Sequence, residues 1–334
     1  MSIAPQKAAR SCIITVGGGK GGVGKSIVAL NLAAVLAQEG HRVVIADMDL
    51  GAANQHLLLG LMSPATGLQA MLDKSVGEAK SCLTETQVPN LRLLAGTSGV
   101  LGAANITHAQ KVLLLRKLRA LEADIIVVDV GAGVGYNALD FFDLGVRKLI
   151  VTTPQVTALH DAYAFLKSAV LRLLRHNVEE AIDEALLEPA TLSTSTEKVV
   201  QILARLRETR PALADKVFAE IERFGACMVG NQVFKDAHAG VFGAVAHTMH
   251  DYLGLNVPVL GWLRSSVTVH ESVNDRRPLV LDPGTKDAAA FRTLARALLA
   301  TLPAADDHHD LGIVEQVAVD ELSARRRSAK RSPR

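Results

Sequence analysis

Aromatic side chains are scarce: Phe, Tyr and Trp together make up 4 % of the 334 residues, with a single Trp. That excludes an interior built on large rings. Because 49 % of the chain is hydrophobic, Ala, Leu and Val must build the core, as suits helices packed on a buried parallel sheet. Cysteine is scarce too, and Cys12, Cys82 and Cys227 lie far apart with no metal-ligand spacing. This argues against a disulfide scaffold or a cysteine-bound cluster and reads as buried, reduced thiols in a cytoplasmic protein. No apolar run approaches membrane-spanning length, and the start, Met1 to Lys7, lacks a signal-peptide pattern. The net charge is only +2, too small to argue for nucleic acid by itself. The length suffices for one large α/β domain or two small ones.

What is present is a concentrated glycine loop. Gly17-Gly18-Gly19-Lys20-Gly21-Gly22-Val23-Gly24-Lys25-Ser26 follows the apolar run Cys12 to Val16 and leads into a helical pattern, Ile27 to Gln38. Strand, glycine loop and helix form the context of a phosphate-binding P-loop. The backbone curls with its N–H groups inward around an anion, and the helix N-terminus adds its positive dipole end. The candidate nucleotide contacts are Gly19, Gly21, Gly22, Val23, Gly24, Lys25, Ser26 and Ile27. Lys25 would reach the β/γ-phosphates and the Ser26 hydroxyl would ligate Mg²⁺.

Apolar runs of strand length recur at 43–46, 91–95, 125–130, 148–152, 226–229 and 257–260, separated by helical patterns such as His108 to Glu122 and Ala158 to Arg175. The alternation predicts a doubly wound, mostly parallel sheet with helices on both faces, its ligand site where the loops after Val16, Ala46 and Val130 converge. Residues 177–223 break the pattern: charged helical stretches punctuated by Pro189 and Pro211 read as a helical insertion. From Pro303 the composition shifts towards Arg325-Arg326-Arg327, Lys330, Arg331 and Arg334, which reads as a disordered basic tail over 303–334. The expected organisation is an N-terminal extension, 1–10, and an ATPase domain, 11–302, carrying the insertion.

Three carboxylates stand at strand ends. Asp47 and Asp49, two apart in extended chain, face the same side towards the loop. One can support the Mg²⁺ shell while the other orients the attacking water. Asp129, after Ile125-Ile126-Val127-Val128, matches a Walker B aspartate that holds Mg²⁺ through water. Asn231, after the run ending at Val229, carries both donor and acceptor, as an adenine edge demands.

Lys20 sharpens the picture. Lys20-Gly21-Gly22-Val23-Gly24-Lys25-Ser26 resembles the deviant Walker A motif of the MinD/ParA family of ATPases. The resemblance covers about 11–302 without the insertion, and it implies a P-loop ATPase fold with ATP and Mg²⁺. It also implies that Lys20 crosses an ATP-dependent homodimer interface to reach the partner's phosphates. A cation supplied in trans stabilises the transferring phosphoryl only once two subunits meet. The Asp47-Met48-Asp49-Leu50-Gly51 stretch is similar to the family's switch I, which makes Asp49 catalytic beside Lys20 and Lys25, with Ser26, Asp47 and Asp129 around the metal. Asn231 takes the base, with 258–265 as the second wall of its pocket. Where the family has Asp-Thr-x-x-Gly or Asp-x-Pro-x-Gly at switch II, this chain reads Asp129-Val130-Gly131-Ala132-Gly133.

Within the family the chain is most similar to the FlhG (FleN) branch, MinD-like regulators of flagellar number and placement. Asp49 to Asn54, Leu91 to Gly99 and Thr157 to Ala164 carry that similarity. It implies a slow, partner-stimulated ATPase controlling the position or number of a cellular structure, with a regulatory protein partner. A ParA-type partition ATPase that binds DNA nonspecifically and a nucleotide-dependent adaptor with little turnover are the competing functions. The basic tail is compatible with a solvated segment, an anionic membrane on the inner face of the cell, or DNA. Leu311, Val314, Val317, Ala318 and Leu322 form a stripe at helical spacing opposite Glu315, Asp320 and Glu321.

Overall fold

Continuous apolar runs, buried on both sides, line up as the strands of one sheet with two buried faces. The structure, a computed structural model, describes residues 11–64, 67–72, 79–96, 106–178 and 199–303. The extension 1–10, part of the insertion (179–198), and the tail with its apolar stripe lie outside the described residues.

The strands are β1 (Cys12–Gly17), β2 (Val43–Met48), β3 (Thr84–Glu85), β4 (Leu91–Leu94), β5 (Ile125–Val130), β6 (Arg147–Thr152), β7 (Ala226–Val233) and β8 (Val259–Arg264). They form an eight-stranded sheet in the order β3-β4-β2-β5-β1-β6-β7-β8, in which only β3 runs antiparallel to its neighbour. β3 was not expected, being too short for a periodic signal. The last strand was expected at 257–260 and lies at Val259–Arg264. Val257 is buried ahead of it. Pro258 has no N–H for a ladder, although its carbonyl accepts from Met228 N at 2.9 Å. Most of the segment expected as a loop wall at 258–265 is therefore strand.

The helices are α1 (Lys25–Gln38), α2 (Gln55–Leu58), α3 (Leu68–Leu72), α4 (His108–Arg119), α5 (Tyr136–Asp143), α6 (Val156–Val178), α7 (Val199–Thr209), α8 (Pro211–Glu222), α9 (Gly240–Leu253), α10 (Val267–Asn274) and α11 (Lys286–Leu299). They divide between the sheet's faces as the period of two requires. Ile14 and Val16, Val43 and Ile45, and Ile125 and Val127 join one cluster with α1 and α11. Ile13, Val44 and Ala46, and Ile126 and Val128 join the other with α3 to α9. α1 is buried from Val28 to Ala37, so it is apolar all round, as a helix enclosed by sheet and helix must be.

α7 and α8 carry the described part of the 177–223 segment. Val199, Leu203 and Leu206 on α7, and Ala214, Val217 and Ile221 on α8, are buried in the same cluster as α6 and the sheet. Among the described residues no helix is long and apolar enough to cross a membrane.

Candidate nucleotide site

The loop between β1 and α1 is shaped by what a side chain would hit. A Cβ on Gly19 would lie 2.1 Å from the Asp161 carbonyl oxygen of α6, so backbone packs directly on backbone. Gly24 caps α1 with φ 91° and lies so close to β7 that a Cβ would stand 2.2 Å from Asn231 Nδ2. Only glycine combines that conformation with that approach.

Lys25 turns inward. Its ammonium donates to the Lys20 carbonyl at 3.2 Å, and burial lowers its pKa while the Asp129 and Asp49 carboxylates raise it. Lys20 stays outside, its Nζ donating to Thr157 Oγ1 of α6 at 3.0 Å. The chain thus holds its two loop lysines in different ways: one in the cradle, one on its own rim.

The carboxylates converge behind the cradle. Asp47 and Asp129 are paired residues on the adjacent strands β2 and β5, and both are almost fully buried. Burial pushes each carboxyl well above the ordinary carboxylate range; for Asp47 the neighbouring Asp129 adds to the rise. Asp47 Oδ1 accepts from Asp49 N at 3.2 Å, and its Oδ2 accepts from Asn54 N at 2.8 Å and Gln55 N at 2.9 Å. It therefore anchors the turn after β2 and the start of α2. Asp49 is more exposed, and its Oδ1 accepts from Ala52 N at 3.1 Å. A Cβ on Gly131 would meet that carboxylate at 3.2 Å, so the turns after β2 and β5 lie together.

Asp129 Oδ2 accepts from Gln55 Nε2 at 2.8 Å, and the Ser26 hydroxyl beside it favours the ionised form. Its Oδ1 is buried without a partner in hydrogen-bond geometry. A hydroxyl and a carboxylate oxygen short of a donor are hard ligands of the kind Mg²⁺ takes alongside water and phosphate. The residues present fit that ion, with Ser26 and Asp129 as the ones able to hold it.

Lys25, Ser26, Asp47, Asp49 and Asp129 come together as expected of one site. Asn231 arrives differently: its Nδ2 donates to the Val23 carbonyl at 2.8 Å, while Gln232 Nε2 donates to Gly22 O at 2.9 Å. The end of β7 grips the loop itself, and the donor half of the Asn231 amide is committed to it. Sequence reasoning missed Gln55, Thr157 and Gln232, whose partners are far away in sequence and leave no periodic trace.

The sequence model described as ParA: NUBPL iron-transfer P-loop NTPase matches residues 10–171. The chain is 34 % identical over 158 residues to the antiactivator FleN of Pseudomonas aeruginosa, covering 46 % of this chain and 55 % of that protein. It is 35 % identical over 156 residues to the flagellum site-determining protein YlxH of Helicobacter pylori, covering 46 % and 52 %. The chain thus spans about half the length of these curated relatives. The fold is that of the septum site-determining protein MinD of Pyrococcus horikoshii, solved in complex with Mg-ADP. Their TM-score is 0.59 at 21 % identity, over 87 % of this chain and 97 % of that one. Cys12, Cys82 and Cys227 are each buried and free, so no cysteine pair is available for iron. The glycine cradle, the paired lysines and the strand-end carboxylates agree with these similarities: over residues 10–171 the chain is similar to the ParA/MinD family of P-loop NTPases, and it has that family's fold.

Proposed function

We propose that this chain is an ATP hydrolase, slow until a partner stimulates it, whose ATP-bound homodimer controls the position or number of a cellular structure, as in the FlhG branch. The observation that carries the reading is the contrast between its two loop lysines, Lys25 enclosed with the carboxylates and Lys20 half-buried at the rim with its ammonium on Thr157.

The N–H groups from Gly19 to Ile27 and the Lys25 ammonium would hold the phosphates. When bound at Ser26 and Asp129, Mg²⁺ supplies charge neutralisation for the phosphates. Asp49, held by the N–H of Ala52, would orient the attacking water. Asp47 would keep that turn in register. Lys20 would leave Thr157 and cross to the phosphates of a second subunit, so that the reaction is completed only in the dimer. Asn231 would present its remaining amide oxygen to the adenine. Residues 11–302 act as the ATPase domain, with 177–223 either covering its core or docking a partner. The buried faces of α7 and α8 favour the covering role.

Light scattering of the full chain with ATP, ADP or neither tests this. A dimer is expected with ATP alone, and Lys20→Ala should remain monomeric while still binding ATP. Normal dimerisation of Lys20→Ala would overturn the reading. Turnover measured with anionic liposomes or DNA then separates membrane contact from a partition-type role.

A further inference from the structure

Gln55 opens α2 as a fully buried polar residue at the metal end of the site. Its Nε2 donates to Asp129 Oδ2 at 2.8 Å and to the Ser26 carbonyl at 3.0 Å. Its backbone N–H donates to Asp47 Oδ2 at 2.9 Å. One residue therefore touches the end of the P-loop, the end of β5 and the anchor of the turn after β2. The amide has only one workable orientation, since reversing it would set its oxygen against two acceptors.

In that orientation Gln55 Oε1 is buried without a donor, as is Asp129 Oδ1. Two unpartnered acceptors on one hydrogen-bonded pair are costly unless something with protons to give arrives. Water on a divalent cation turns its hydrogens outward, and outer-shell acceptors are what orient such ligands.

We propose that Gln55 is the positioning residue of the metal–nucleotide site: its amide fixes the Asp129 carboxylate, ties it to the 49–55 turn, and accepts from water carried by the bound Mg²⁺. This rests on the ATP-binding function proposed above. It makes the turn bearing Asp49 responsive to metal occupancy without a direct contact between the two. A purely structural amide would leave the metal dependence of nucleotide binding untouched.

The test is calorimetric titration of the full chain with ADP, once in EDTA and once in excess Mg²⁺. Gln55→Met keeps the volume and removes the amide. It should reduce the Mg²⁺-induced tightening by about tenfold to hundredfold while ADP affinity in EDTA stays near the wild-type value. An unchanged tightening would overturn the proposal. Should Gln55→Met lose its cooperative melting, Gln55→Asn, whose amide is too short to bridge, carries the same expectation. In a cycle with Asp129→Asn, the Gln55 substitution should cost clearly less than it does in the wild type, because part of its effect passes through that carboxylate; fully additive effects would equally sink it. Wild-type chain that binds ADP equally with and without Mg²⁺ would bring down the proposed function itself, whereas failure confined to the Gln55 variants removes this assignment alone.

Discussion

The two ends of the central strands bury charge with opposite results. At the amino end of β6, Lys148 is buried with its ammonium donating to Gly145 O at 2.9 Å and Phe224 O at 3.0 Å, near Asp143 Oδ1 at 3.4 Å. The Phe224 ring lies 4.8 Å away and adds a cation–π contact. At the carboxyl end of β5, Asp129 is equally buried but keeps one oxygen without a donor. Burial alone therefore does not distinguish a site from a strut; completeness of partners does. A satisfied charge holds three chain segments together, and an unsatisfied one is poised for a ligand.

The sharpest way to break that comparison is to remove a lysine at each end of the strands. Lys25→Ala should weaken ATP binding by about a hundredfold or more, given charge-assisted contacts of roughly 1.5–3 kcal/mol each. Lys148→Met should leave ATP affinity unchanged and lower stability by about 1–3 kcal/mol, because the half-exposed Asp143 is not stranded. Isothermal titration and thermal melts read the two effects; a Lys148 variant that loses ATP would erase the distinction.

Next in size is Asp49→Ala, which should reduce turnover by roughly a hundredfold while the ATP-bound dimer persists. Phosphate release and light scattering on the same sample check it. Unchanged turnover would move the catalytic role to another group, Asp47 first.

A smaller effect concerns pH. Burial raises the Asp129 carboxyl from 3.8 to about 6, so its protonated form is favoured in the fold. Between roughly pH 4 and 6 the folded chain retains a proton that the unfolded chain has released, and this group's contribution to stability falls as pH rises. Metal-free melts should therefore show wild type losing stability relative to Asp129→Asn across that window. A difference that stays constant with pH would mean the carboxyl is already ionised in the fold.

The smallest effect belongs to the rim. Thr157→Ala deletes one exposed hydrogen bond to Lys20, worth about 0.5–1.5 kcal/mol at most. If that contact restrains Lys20, the ATP concentration for half-dimerisation should fall a few fold; a rise would make Thr157 part of the assembled interface instead.

How much of this could be read in advance followed the same divide. The P-loop and the acid closing β5 are local: a few consecutive residues carry both the conformation and the chemistry. The sheet was legible from alternation, since each strand had to serve two buried faces. Gln55 was not legible, because Asp47 grips its N–H from eight positions away and its amide reaches back to Ser26 and across to Asp129. Asn231 was read as a base contact at a strand end, but its bond to Val23 O depends on how β7 meets the glycine loop. The similarities show the same split. The family's sequence model ends at residue 171, inside α6, while likeness of fold extends over 87 % of the chain. Chemistry specifies side chains; packing specifies only pattern and volume.

α1 has one more consequence. Its residues from Val28 to Ala37 are buried, with β-strands on one side, α11 on the other, and Asn31 Oδ1 accepting from Val280 N at 3.2 Å. Shifting this helix would open the core on both sides, so it cannot be the piece that travels. In the proposed function its first turn would receive the phosphates while the rest serves as a fixed axle, so any stroke driven by nucleotide would be made by the turns that surround its tip. Amide hydrogens along α1 should then exchange only through global opening, giving the molecule an internal clock against which the motion of those turns can be timed.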